Sequence, residues 1–412
     1  MKRRILFISN HLRGPKGAAG TRSWQQTRQL CELFDITVAV PAIDPVTVQP
    51  VTSETFDGLD KECVTVKLIS STPLDRGSKL SRLFFYLTVG FGQFRVGLTV
   101  RQPACILVMS LPITSLWVGM LLSWIKRCPL VVDVRDLPFE TAAEIGYLGN
   151  GYITKLAIFA ENFALKQAAL VICNSARYKP MLVKRGVLAE RIEVLVIGYD
   201  DFDPPSPNLV SEFRDIFSGS FGNSAPEYIG IYVGTFGQVV EVETVLAAAK
   251  LLRNRQDLGF VFVGSGQRLA EYQLLAEQEG LNVYFTGRVA KDHVQAMCRA
   301  SDFCFYAAKP GTMSAAMLGN KLFDYLGAER PVIYSGPDSA VLDVIKELNA
   351  GLATDSNDPV ALANSIVTIC DDPDLRQQFS RNAAGFRLRG YTGPASAVRL
   401  KELIAKLLDV TS

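Results

Sequence analysis

Histidine is nearly missing from this 412-residue sequence, which holds only His11 and His293, and its eight cysteines, at 31, 63, 105, 128, 173, 298, 304 and 370, form no Cys-x-x-Cys pair. Structural zinc needs such clustered ligands, so no metal is expected. Scattered thiols suit a reduced, cytosolic chain better than a disulfide framework. Charge of one sign is not in excess either. With 43 basic and 41 acidic side chains the net charge is +2, too little for general affinity to polyanions, so nucleic acid is not an expected partner. No apolar run is long enough to cross a membrane. The longest, "LPITSLWVGMLLSWIKR", falls short of the roughly 20 residues a spanning helix needs and reads as a buried helix. Repeats of roughly 20 to 50 residues and low-complexity tracts are missing, which sets aside solenoids and disordered tails.

What is present is apolar residue in abundance, 48% of the chain beside 20% charged, which suits two conventional domains of about 200 residues each. Short Val- and Ile-rich runs alternate with helix-length segments, the pattern of parallel sheets covered on both faces, so the class is α/β. Strand candidates in the first half include "RILFIS", "ITVAVP", "CILVMS" and "LVVDV"; in the second, "YIGIYVG", "FVFVG", "NVYFTG", "FCFYA" and "PVIYS". Between the halves, "GYDDFDPPSPN" is too dense in Pro and Asp for either regular element. The expected organisation is a domain over 1–199, a linker over 200–208 and a second domain over 209–394. The segment 395–412, with Leu400, Leu403, Ile404 and Leu407 at helical spacing, is expected to pack back on the first domain. "MKRRILFIS" reads as a first strand and not as a signal peptide. "KLSRLFFYLTVGFGQFRVGLTVRQ" mixes Lys79, Arg82 and Arg95 with Phe84, Phe85 and Phe91, a composition suited to lying at a membrane interface. The expected location is the cytoplasm, at the inner face of the cytoplasmic membrane.

Open parallel sheets bind ligands at the carboxyl ends of their strands. After the first strand, "HLRGPKGAAGTRSW" places Gly14, Gly17 and Gly20 with Arg13, Lys16 and Arg22 before a helix beginning near Thr21. That arrangement aims free N–H groups and positive charge at an anion, although a flexible connection would look the same. The dinucleotide fingerprint Gly-x-Gly-x-x-Gly is not in this turn, which disfavours a dehydrogenase. "VVDVRDLPFE" ends a strand with Asp133, Arg135 and Asp136, either an ion pair pinning a loop or a set of directed hydrogen bonds for sugar hydroxyls. In the second half Gly234 and Gly237 close one strand, Gly264 and Gly266 the next, and a loop with Lys309, Gly311, Thr312 and Ser314 follows a later one. The helix opening "NKLFDYLGAERPVI", expected to be capped by Asn320, carries Lys321 and Asp324 three apart on one face. A cation at a helix N-terminus opposes the dipole by on the order of 0.5 kcal/mol unless an anion meets it, which marks Lys321 for a ligand.

These motifs, in this order, resemble the retaining glycosyltransferases of the GT4 family, whose GT-B fold sets two Rossmann-like domains face to face with a ligand cleft between them. The resemblance spans nearly the whole chain. Its most specific piece is "NKLFDYLGAERPVI"; "GAAGTR", "VRDLPFE", "VGTFGQ", "VGSG" and "FTGRV" support it. It implies transfer of a hexosyl or N-acetylhexosaminyl group, with retention, from a nucleoside diphosphate sugar to a lipid-linked or other saccharide acceptor in bacterial cell-surface polysaccharide synthesis, such as lipopolysaccharide. It also implies roles. Asp324 takes the place of the second acid of a Glu-x7-Glu motif and would hold the ribose, while the first acid falls on Ala316. Lys321 would meet the diphosphate and Val289 the base, with Arg288 beside it. Gly17, Gly20 and Arg22 would approach the diphosphate and acceptor. Arg135 and Asp136 join Lys321 as catalytic candidates, and Gly234, Gly237, Gly264, Lys309, Gly311 and Thr312 would line the donor side.

Two departures stand out. The basic pair that relatives carry after "VGTFG" is replaced by Gln238, Val239 and Val240, and "VMSLPI" stands where a first-domain histidine is common. One lost charge-assisted donor in a closed site costs roughly 3 kcal/mol, about a hundredfold in rate, so Arg22, Arg288, Lys309 or Lys321 would have to compensate. In relatives the departing phosphate takes the acceptor proton, so neither a dedicated carboxylate base nor a cofactor or metal is expected. The lost pair and Ala316 leave a second reading open: a homologue that binds nucleotide sugars as a partner subunit without turnover. An epimerase would need acid and base side chains that two histidines scarcely supply.

Overall fold

A computed structural model describes residues 2–14, 21–137, 151–200, 203–221, 225–237, 240–311 and 315–409. The chain forms two compact units, one of residues 1–200 with 392–412 and one of residues 201–391.

In the first unit β1 (Arg3–Ile8), β2 (Phe34–Pro41), β3 (Val64–Ile69), β4 (Cys105–Met109), β5 (Leu130–Val134), β6 (Leu170–Cys173) and β7 (Ile192–Val194) run parallel in the order β3-β2-β1-β4-β5-β6-β7. Between them come α1 (Thr21–Leu30), α2 (Lys79–Thr99), α3 (Ile113–Lys126), α4 (Tyr152–Lys166) and α5 (Tyr178–Lys184). The second unit repeats the plan. There β8 (Tyr228–Val233), β9 (Leu258–Val263), β10 (Val283–Gly287), β11 (Phe303–Ala307), β12 (Val332–Ser335) and β13 (Gly351–Thr354) lie in the order β10-β9-β8-β11-β12-β13. Its helices are α6 (Pro207–Gly219), α7 (Val242–Leu251), α8 (Leu269–Gln278), α9 (Lys291–Arg299), α10 (Asn320–Gly327), α11 (Ala340–Leu348), α12 (Pro359–Asp371) and α13 (Pro373–Ala384). The last helix, α14 (Gly393–Leu407), belongs to the first unit and packs on α1.

Both sheets are the Rossmann-like arrangement that the alternating runs predict. β4, β5 and β9 are buried at every residue, as strands covered on both faces must be. Burying one such aromatic or branched side chain contributes about 1.5–3 kcal/mol. Leu400 and Ile404 of α14 enter the same core as Phe7, Leu107 and Val131. In each sheet the strand order reverses once, between β1 and β4 and between β8 and β11. At such reversals the flanking connections diverge and leave a crevice beyond the carboxyl ends.

Two features were not legible in the sequence pattern. β13, "GLAT", is short and only partly buried, so it carries no apolar run. Cys31 and Cys63 form a disulfide across a Cα separation of 5.8 Å, where reduced thiols were expected. Cys31 lies shortly before β2 and Cys63 just before β3; these strands are adjacent and parallel, so their starts meet at the amino edge of the sheet despite a sequence separation of 32.

Candidate active site

The second unit gathers its chemistry at the reversal between β8 and β11. Tyr232 and Tyr306, each the last residue but one of its strand, lie on these two neighbouring strands. Lys321, in the first turn of α10, brings Nζ to 4.8 Å from the centre of the Tyr232 ring and 4.2 Å from that of Tyr306. Ring faces attract a cation through their quadrupole, but they do not neutralise it. No carboxylate pairs with Lys321 among the described residues. Burial pushes its ammonium down to about 7.

The local backbone serves this placement. A Cβ on Gly319 would stand 2.7 Å from the Tyr306 hydroxyl, so only glycine lets the chain pass so close. Gly319 is also the residue that precedes the helix, in extended conformation and without a side-chain cap; Asn320, expected as the cap, is the first helical residue and is exposed. The residue that precedes α10 therefore supplies no side-chain acceptor to the N–H groups of its first turn. An anion placed there would meet those groups and the Lys321 ammonium together.

A pH dependence follows. Because burial lowers the Lys321 ammonium to about 7, a share of these side chains is neutral near that pH, and a bound anion raises their pKa, so binding takes up protons. Affinity for a nucleoside diphosphate should fall as pH rises from 7 to 9, by up to about tenfold per unit. Calorimetry in buffers of different ionisation enthalpy reads this uptake directly. A flat profile, or one that Lys321→Arg leaves unchanged, would remove Lys321 from the anion site.

Further cations lie on the same edge. Lys309, beyond β11, is 3.8 Å from Glu243 of α7. Arg268, which immediately precedes α8, pairs with both Glu243 and Glu271 and lies 4.8 Å over the Tyr272 ring. Burial would raise the Glu243 carboxyl, but its own N–H, Arg268, Tyr272 and Lys309 hold it below the ordinary range. Burial and Glu243 push Glu241 up. Arg268 went unnoticed in the sequence, where its one signal is its place just after the "VGSG" turn.

Gly234 and Gly237 follow β8 and Gly264 follows β9. Gly264 has φ +141°, and a Cβ there would overlap the Gly234 carbonyl oxygen, so the two turns lie backbone against backbone. Arg288, exposed, and Val289, partly buried, follow β10, and Gly311 follows Lys309. Asp324, one turn beyond Lys321, is partly buried, and its carbonyl accepts a 2.8 Å bond from Gln295. Ala316 is buried. Thr312, Gly17 and Gly20 lie outside the described residues.

In the first unit Arg22 is not the free cation that its place after the glycine turn suggested. Its guanidinium is buried and grips Asp133 at 2.8 and 3.0 Å, and it also donates to the carbonyls of Leu195 and Val196 at 3.1 Å. Gln26 adds a 2.7 Å bond to Asp133. Burial alone would raise the Asp133 carboxyl, yet Arg22 beside it holds it below its ordinary value. With Asp133 so engaged, the Arg135 Nε has no hydrogen-bond partner among the described residues. Burial lowers the Arg135 guanidinium against the pull of Asp133 and Asp136, and raises the Asp136 carboxyl against the pull of Arg135. Beyond the end of β1, His11 Nδ1 lies 4.0 Å from Asp44, which Arg13 holds at 2.9 Å. Among the described residues one group, Cys31, Asp60 and Cys63, brings possible metal ligands within 4.8 Å of one another. Two of its sulfurs are already joined, and it lies at the amino edge of the sheet, away from the carboxyl ends.

Residues 214–386 match the family described as glycosyl transferases group 1. The alpha-D-kanosaminyltransferase of Streptomyces kanamyceticus is 24% identical over 286 residues, 68% of this chain and 71% of that protein. Among solved structures, HepE of Anabaena in complex with UDP and glucose superposes with a TM-score of 0.70 at 17% identity, covering 99% of both chains. WaaG, a glycosyltransferase involved in lipopolysaccharide biosynthesis, gives 0.64 at 15% identity over 98% of both chains. The likeness to these structures shows a common fold.

Proposed function

We propose, from the premise that this chain is a GT4-like group 1 glycosyltransferase using a nucleotide-sugar donor, that Lys321 is the cation its donor diphosphate meets and that the acceptor is a lipid-linked saccharide of a bacterial surface polysaccharide. The observation that carries this reading is the Lys321 amine, held against the Tyr232 and Tyr306 rings at the strand-order reversal without a carboxylate partner among the described residues. A leaving nucleoside diphosphate gains negative charge as the glycosidic bond breaks, and preset cations and helix N–H groups stabilise that charge more than they stabilise the intact donor. Lys321 and the first turn of α10 supply both. Arg268 and Lys309, shared through Glu243, take the part of the basic pair absent after "VGTFG".

The remaining roles are assigned on the same basis. Asp324 accepts from the ribose hydroxyls, the main chain at Val289 holds the base with Arg288 near it, and Gly234, Gly237, Gly264, Gly311 and Thr312 let backbone approach the donor. The resemblance to the GT4 family assigns Gly17 and Gly20 to the acceptor and diphosphate. Arg135 and Asp136 bind acceptor hydroxyls; the raised Asp136 carboxyl can donate as well as accept. Retention of configuration follows if the departing phosphate receives the acceptor proton on the leaving face. This reading needs no metal, since Lys321, Arg268 and Lys309 would neutralise the diphosphate. The site is expected to work at the inner face of the cytoplasmic membrane. Support for the acceptor class comes from the resemblance to WaaG, and for a UDP donor from HepE.

The test is a panel of nucleoside diphosphate sugars with lipid diphosphate-linked saccharides, read as nucleotide release and glycosylated lipid. Transfer from one donor, with Asp324→Ala weakening nucleotide binding, is the expected result. The buried Ala316, in place of an acid, favours a second reading, a homologue that binds the donor as a partner subunit. Tight nucleotide binding without release from any donor would select it.

A further inference from the structure

We propose that the layer formed by α2, α3 and α4 docks on an anionic lipid bilayer, with the helices lying along its surface. α2 adjoins α3 and α3 adjoins α4, and the inner sides of α2 and α3 cover β2 to β5. The outer sides are not polar, as those of a surface helix normally are. On α2 they present Leu80, Leu83, Phe84, Leu87 and Phe91, with Phe84 56% and Phe91 64% exposed. α4 presents Tyr152, Leu156, Phe159 and Phe163, spaced four, three and four residues apart, and α3 adds Leu121, Trp124 and Ile125. Trp124 meets Phe163 edge to face at 6.2 Å, so the stripes of α3 and α4 are continuous. Soluble surfaces seldom leave so much contiguous apolar area uncovered.

Charge decides the occupant. α2 and α3 contain no acidic residue. The one acid of α4, Glu161, is buried and ion-paired with Arg185 at 3.1 Å. Arg95, Arg127, Lys155 and Lys166 are exposed around the apolar stripes. A second copy of this chain would set cations against cations, whereas a sheet of anionic headgroups over acyl chains matches both features. Beside α2, a groove of about 720 Å³ runs along the edge strand β3, with Leu68, Leu87 and Phe91 in its lining and Lys67 and Arg95 on its sides. Its apolar lining suits an acyl chain, and its two cations suit the phosphate of the same lipid. No helix among the described residues is long and apolar enough to cross a membrane, so the fit is to a layer resting in the interface. The surface is separate from the donor site and does not depend on the activity proposed above.

Flotation of the full chain with vesicles tests it. Binding to phosphatidylcholine vesicles containing phosphatidylglycerol, weakened by salt, with little binding to phosphatidylcholine alone, is expected. Phe84→Ser, Phe91→Ser and Phe159→Ser together should reduce partitioning more than tenfold while leaving nucleotide affinity and the melting profile in place. Lys155→Glu alone, which removes no apolar contact, should reduce it at least fivefold. Absence of flotation with anionic vesicles, or equal flotation of the serine variant, overturns the proposal. So does a concentration-dependent dimer that the serine variant dissolves, which would give the face to a second copy.

Discussion

Replacing Lys321 by methionine is expected to slow glycosyl transfer at least a hundredfold while the melting temperature holds or rises. The two effects have one origin. Holding an ammonium against tyrosine rings without a counterion is unfavourable for the empty protein, because the charge has left water and gained no anion. Methionine has a similar reach and no charge, so it fills the space and removes that cost. The same substitution removes the cation on which the developing phosphate charge would rest, a loss of roughly 3 kcal/mol in a closed site. If the amine acts mainly as bond breaking proceeds, kcat falls more than KM rises. Such exchanges of stability for activity are usual where a site is kept in a state the fold alone would not choose. Unchanged turnover in the methionine variant would sink the assignment, and a large loss of stability would show that the lysine is a structural element.

The second large effect concerns Arg22. Removing it by Arg22→Ala leaves Asp133 buried with Gln26 as its remaining described side-chain donor. Stripping one partner from a buried ion pair typically destabilises by about 3–5 kcal/mol, which for a unit of this size lowers the melting temperature by roughly 10 °C. The pH dependence has a definite sign. In the native protein Asp133 is held below its ordinary value, so its contribution is present at neutral pH and is lost as pH falls through the folded pKa. In the variant burial acts unopposed by Arg22 and the folded pKa should lie above the unfolded one, so the deficit relative to wild type shrinks as pH is lowered from 7 towards 5. Denaturant titrations at both pH values measure it. A double replacement, Arg22→Met with Asp133→Leu, should recover most of the loss, since apolar groups of like volume replace a buried pair well. Were Arg22 instead a ligand for the diphosphate, the alanine variant would melt normally and bind nucleotide weakly.

These two residues mark where sequence reasoning reached and where it stopped. The runs at β4, β5, β8, β9 and β11 announced their strands because a doubly covered strand must be apolar at nearly every position. The glycines at 234 and 264 announced turns, and Lys321 announced itself as a cation on the wrong end of a helix. What remained hidden were contacts between residues far apart in the chain. Arg22 and Asp133 are 111 positions apart, and nothing in either neighbourhood names the other, so a charged glycine turn looked like an anion site when its arginine was already committed. Tyr232 and Tyr306 read as ordinary core aromatics; only the adjacency of β8 and β11 turns them into the walls around an amine. The disulfide escaped for the same reason, since spacing says nothing about which strand starts are neighbours. β13 was missed because four residues with a partly exposed face leave no pattern to read.

The tyrosine-walled lysine has one consequence outside catalysis. Burial holds the Lys321 amine well below the ordinary lysine range, so a larger share of it is a free nucleophile at physiological pH than of surface lysines, which stay ammonium in all but about one molecule in a thousand. Acylating or aldehyde-bearing warheads on an uncharged scaffold, which brings no phosphate to restore the ammonium, would therefore find Lys321 more reactive than ordinary surface lysines, which makes this residue an anchor for selective covalent inhibitors.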